Sequence, residues 1–137
     1  MRCPNRLAEW MAASALAGMG AHILVSPEAL SESRLAAVLD LVWPPRLSGL
    51  IYFVTGATRI GALVCANRLG WLSAYIRAVG AAAGGLIWLQ MALALLLFSG
   101  QWNISVSPAI WLYMSAATAE FVSTYRARAD AAAHAVA

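Results

Sequence analysis

Arg59 and Glu120 each stand inside a stretch of chain oily enough to cross a lipid bilayer, and Glu9 lies near the start of another such stretch. A charged side chain in the bilayer interior is costly; it faces the bundle interior, takes a partner, or marks a path for ions or protons. Two kinds of chemistry fit these three residues. An arginine and a carboxylate can neutralise each other as a salt bridge between helices, or all three can form a polar lining for a proton, ion or water path. Gln90, in the middle of a further apolar run, suits a hydrogen bond to a neighbouring helix. His22, near the end of its run, reads as a solvated interfacial side chain, and His134 lies in an Ala-rich tail. No nucleophile with its base, phosphate loop or metal triad is present, so no catalytic residue, metal or cofactor is expected, nor an enzyme. Cys3 and Cys65 form no CxxC or Cys/His cluster.

The composition places these residues in lipid. Of 137 residues, 62% are hydrophobic and 11% charged, against roughly 25% charged in soluble domains. Every basic residue is Arg, and the net charge is +3. The arginines gather at the ends of apolar runs rather than in one stripe, which argues for membrane orientation and against nucleic-acid binding.

A spanning helix needs about 20 mostly apolar residues. Four segments qualify: about 7–25, 47–66, 78–98 and 108–125. Ser26-Pro27 closes the first, and Pro44-Pro45 precedes the second. The third carries no charge between Ala78 and Phe98. Ser107-Pro108 opens the fourth, with Ser as cap and Pro at the first helical position. Between the first two, Leu35, Val38, Leu39 and Val42 recur at helical spacing among Glu32, Arg34 and Asp40. Residues 31–43 therefore read as a short amphipathic helix, either on the membrane surface or packed on its own protein as a connector. Arg2 and Arg6 before an apolar run resemble a signal peptide, but no small-residue cleavage site follows Val25, and Glu9 interrupts the run. An uncleaved first span is expected. The fold class is all-α: one integral membrane domain over 1–137, a four-helix bundle with an interfacial helix and a short tail at 126–137.

Arg2 and Arg6, Arg68 and Arg77, and Arg126 and Arg128 fall on one side of these spans. The other side has Arg34 and Arg46, diluted by Glu28, Glu32 and Asp40. The positive-inside rule then puts both termini in the cytoplasm of a bacterial inner membrane. Trp10, Trp43, Trp71 and Trp102 fall near span ends, where aromatic rings favour the interface. Both cysteines lie toward the reducing side, where a disulfide is not expected.

Depth brings the charges together. Arg59 lies seven residues before Ala66 and Glu120 five before Tyr125 on two inward-running helices, so their levels differ by about 3 Å. Arg59 shares a face with Tyr52, Thr55, Gly56 and Ala62; Glu120 shares one with Tyr113, Ala116, Ala117, Ser123 and Thr124. These small or weakly polar faces suit a bundle interior, and Glu9 is expected to join the same cluster. Gly80-Ala-Ala-Ala-Gly84, extended by Gly85, is a GxxxG pattern. It makes a flat face for another span of the same chain or for a second copy.

Several short motifs carry a resemblance. The chain opens Arg6-Leu-Ala-Glu9-Trp10; its centre reads Thr58-Arg59-Ile-Gly-Ala-Leu, Asn67-Arg68 and Arg77-Ala-Val-Gly80 leading to Trp88. It closes Glu120-Phe-Val-Ser-Thr-Tyr125-Arg126-Ala-Arg128-Ala-Asp130. In these it resembles small four-span membrane proteins of tailed phages and prophages of proteobacteria. The resemblance implies a phage-encoded inner-membrane protein, in its most concrete form a holin, which self-associates and opens the membrane for host lysis. The tail departs from that pattern, having only Arg126, Arg128 and Asp130 before its alanines. The alternatives are an accessory subunit docked on a larger membrane protein and a small ion or proton path. The partners these readings imply are the lipid bilayer, further copies of the chain, or another membrane protein.

Overall fold

The computed structural model describes residues 6–27, 44–101 and 108–135. The amphipathic segment 31–43, Trp43 and Trp102 lie outside them. Apart from Arg6, Ser26 and Pro44, the described residues are helical or turn. Four long helices are α1 (Leu7–Val25), α2 (Pro45–Val64), α4 (Trp71–Gln101) and α5 (Pro108–Ala135), and α3 (Ala66–Leu69) is a single turn between α2 and α4.

Local chemistry sets several boundaries. Pro45 begins α2 and Pro108 begins α5, where the missing N–H would have had no intrahelical partner. Gly70, at φ 49°, separates α3 from α4 in a backbone region that side chains with a Cβ rarely enter. α4 starts at Trp71, well before the expected Ala78, and therefore takes in Arg77. No loop forms there, because the chain can reverse within the short α3–Gly70 turn. α2 ends at Val64, slightly short of the expected Ala66. α5 does not stop at Tyr125; it continues to Ala135, because the Ala-rich stretch is a strong helix former whatever its surroundings.

α1, α2 and α4 are long and apolar enough to cross a membrane. α5 has the length but not the apolarity, because Ser115, Thr118, Glu120, Ser123 and Thr124 interrupt it and arginines follow.

The helices pack as two antiparallel pairs. α1 lies on α2 and α4 lies on α5; α2 against α4 joins the pairs, while α1 touches α4 and α5 only lightly. Each buried stripe follows helical spacing. In α1 it is Glu9, Ala13, Leu16, Gly20 and Ile23. In α2 it includes Gly49, Tyr52, Gly56, Arg59 and Ala62. Leu16, Ile23, Tyr52, Ile87, Trp88, Met91 and Ala117 form the central cluster. Trp88 stacks on Tyr113 with ring centroids 5.7 Å apart, tying α4 to α5.

The distribution of polarity is inverted relative to a protein in water. Glu9, Arg59, Arg77 and Glu120 are buried, whereas Leu50, Phe53, Leu86, Leu97, Trp111, Leu112 and Phe121 are exposed. An apolar exterior this extensive marks a surface made for something other than water.

Candidate functional site: two buried arginine–glutamate pairs

The α1–α2 pair is closed by small residues. A Cβ on Gly56 would lie 2.6 Å from the Ala13 carbonyl oxygen and 2.8 Å from Ala17 Cα. One on Gly20 would lie 2.7 Å from both the Gly49 carbonyl oxygen and Phe53 Cα. These are backbone contacts that no rotamer change relieves. The helices approach as closely as they do because those side chains are absent.

The buried charges form two neighbouring ion pairs. Arg59 Nη1 donates to Glu120 Oε1, joining α2 to α5. Arg77 Nε donates to Glu9 Oε2 at 2.7 Å, and Nη2 donates to Oε1 at 2.8 Å, a two-pronged contact joining α4 to α1. Glu9 thus has an arginine of its own, beside the Arg59–Glu120 pair. Arg77, which the sequence places in a loop with Arg68, is buried. Its missing signal is the register: Arg77 stands three residues before Gly80 and seven before Gly84, on one stripe of α4. That spacing sets Arg77 about one helical turn from Gly80 and about two from Gly84 along α4.

The Arg59 pair spans a gap. Among the described residues no Cα of α2 lies within 8 Å of one in α5, because α4 stands between them. Arg59 reaches Glu120 by crossing α4 at its glycines. A Cβ on Gly80 would lie 2.5 Å from Arg59 Cγ and 2.8 Å from Cδ. One on Gly84 would lie 2.7 Å from Glu120 Oε1 and 3.2 Å from Arg59 Nη1. The Gly80–Gly84 face is therefore a slot for an arginine side chain, not a flat seam against another backbone. Gly85 is occupied as well, by the Phe121 ring, which a Cβ would meet at 3.0 Å.

Burial makes these contacts consequential. Arg59 is 2% exposed and Glu120 0%. A buried pair breaks even against apolar packing only with good geometry, yet loss of one partner strands a charge. Glu120 Oε2 and Trp88 Nε1 are buried and have no hydrogen-bond partner among the described residues. Nearby polar groups are satisfied locally. Ser73 donates to the Ala62 carbonyl oxygen at 2.7 Å across α4 and α2, and Ser123 and Thr124 donate back to Ala119 and Glu120 of their own helix. Gln90 is half-buried and has no side-chain hydrogen bond to a described residue, so the bond expected of it to a neighbouring helix is not formed with any of them. His22 is exposed, and Cys65 is a free thiol. Among the described residues no cluster of His, Cys, Asp and Glu could hold a metal ion.

The arrangement neutralises charge at the joint between the two helix pairs. Both of these ion pairs cross that joint, Arg59–Glu120 from α2 to α5 and Arg77–Glu9 from α4 to α1. No protein family, curated protein or solved structure matches this chain.

Proposed function

We propose that the chain is an integral protein of a bacterial inner membrane, with four spans and both termini in the cytoplasm, acting as a holin-like permeabiliser. The observation that carries this reading is the placement of its ion pairs. The four buried charges among the described residues lie at the joint between two tightly packed helical hairpins. Closed, the molecule offers lipid an apolar exterior and is benign. Parted, the hairpins would present Glu9, Arg59, Arg77 and Glu120 to water as a polar lining.

Two features support the topology. On α5, Trp111, Leu112, Phe121 and Val122 point outward, so this helix has a lipid-compatible face despite its polar residues. With Arg77 removed from the loop tally, Arg2, Arg6, Arg68, Arg126 and Arg128 still outweigh the diluted arginines of the opposite side.

A second reading, an accessory subunit of a larger membrane complex, is favoured by one observation. Gly20, Gly49, Gly56, Gly80, Gly84 and Gly85 are all taken up inside the chain, which leaves no vacant glycine seam among them for self-association. A conduction path through the closed molecule draws no support from charges so tightly enclosed. Induction in a bacterium, with membrane potential and release of a co-expressed cytoplasmic muralytic enzyme followed together, tests these readings. Abrupt depolarisation with release is expected of the permeabiliser. An intact potential at high expression overturns it and leaves the accessory subunit, to be pursued through what co-purifies.

A further inference from the structure

An apolar groove of about 610 Å³ runs along the outside of the molecule between α2 and α4, lined among others by Val54, Thr58, Gly61, Cys65, Tyr75 and Ala83. Thr58 adds little polarity, because its hydroxyl is committed to the Val54 carbonyl oxygen at 2.8 Å. From Cys65 to Val54 is eleven residues of helix, or about 16 Å, close to half of a roughly 30 Å hydrocarbon core. The groove is thus one leaflet deep. Its length and apolar lining match an extended acyl chain of one leaflet.

A charge follows the Cys65 end of the groove in the chain. Beyond Cys65 the chain turns through α3, where Arg68 is exposed and forms no ion pair with a described residue. α4 begins directly after, and its first N–H groups give that end a partial positive charge. Tyr75, exposed on the first turns of α4, stands at the same end. Aromatic side chains of this kind favour the headgroup level.

We infer that this groove is a binding site for one anionic phospholipid of the cytoplasmic leaflet, with an acyl chain between α2 and α4 and the phosphate at Arg68 and the start of α4. The site rests on the membrane reading above but not on permeabilisation. Gly61 offers a clean probe, because a Cβ there meets nothing within 4 Å; Gly61→Leu fills the groove without disturbing the fold.

The test uses the full chain carrying Cys3→Ser, in phosphatidylcholine vesicles with and without phosphatidylglycerol. Maleimide labelling of Cys65 is the readout, with native mass spectrometry counting retained lipid. Phosphatidylglycerol is expected to slow labelling at least fivefold and to leave one lipid bound per chain. Arg68→Gln is expected to erase the difference between the two lipids, and Gly61→Leu to abolish retention. Equal labelling in both vesicles overturns the site. So does protection that vanishes when the protein is diluted in lipid, which marks a second copy instead. Carbonate extraction, run in parallel, separates the two readings: a chain that inserts yet shows no lipid preference overturns the site alone, whereas one that washes off overturns the membrane reading with it.

Discussion

Arg59 is a long side chain held in a slot that its neighbours leave empty, and its worth depends on Glu120 remaining opposite. Arg59→Leu removes the cation and strands a carboxylate that is 0% exposed. Breaking a buried pair this way costs about 3–5 kcal/mol in soluble proteins, while replacing both partners with apolar residues is often neutral or stabilising. The expected order of detergent-solubilised yield and melting temperature is therefore Arg59→Leu lowest, with Arg59→Leu/Glu120→Leu near the wild type. Equal losses in single and double variants would show that the pair is not coupled. Gly84→Ala tests the slot itself. Its Cβ would press on both partners of the ion pair, and overpacking of this kind costs about 1–3 kcal/mol. In the Arg59→Leu/Glu120→Leu background that penalty should shrink, because the Glu120 and Arg59 atoms it meets are gone and the Leu16 Cδ1 contact at 3.0 Å is what remains. A penalty of the same size in both backgrounds would place the clash elsewhere. The pairing of Arg59 with Glu120 was legible from depth and face alone. That of Glu9 with Arg77 was not, because a charge at a span end is read as loop until the helix start is known.

Helix existence followed from hydrophobic length, and α1 begins and ends where its apolar run does. The start of α4 was less legible, since Arg77 breaks the run in which it nonetheless sits, its charge neutralised by Glu9 from another helix. Tertiary pairing of that kind is invisible to a window of hydropathy. The seam between α1 and α2 was also half hidden. Gly56 stood out beside Arg59, but Gly20 and Gly49 mean little until the two helices are laid antiparallel. Gly20→Ala and Gly56→Ala should each separate the hairpin, because the new methyl meets backbone atoms that cannot move independently. A loss of about 3 kcal/mol is expected, at the upper end for overpacked sites. Gly18→Ala is the matched control: nothing lies within 4 Å of its Cβ, and alanine is the better helix former by about 1 kcal/mol. Urea or detergent-challenge unfolding of the three variants should rank Gly18→Ala above the wild type and the other two well below it. Loss in all three would mean that α1 tolerates no change, whatever the packing.

At the scale of the molecule the question is what happens when two stable hairpins are joined chiefly by α2 on α4 and by two ion pairs. On the permeabiliser reading, each pair costs desolvation in the closed form and would be rehydrated in an open one, which offsets what the pairing contributes, while apolar packing holds the joint closed. The same variants that probe folding therefore probe timing. Arg59→Leu leaves an unpaired carboxylate that only opening relieves, and it should bring depolarisation forward at matched protein level. Arg59→Leu/Glu120→Leu removes half of the polar lining, and it should delay depolarisation or abolish it while preserving yield. Opposite shifts from variants that share one substitution are hard to produce by any general effect on expression. The measurement is membrane potential after induction, with the amount of inserted protein quantified in the same cultures. If both variants shift onset in the same direction, the ion pairs serve only to hold the hairpins together, and the accessory-subunit reading gains accordingly.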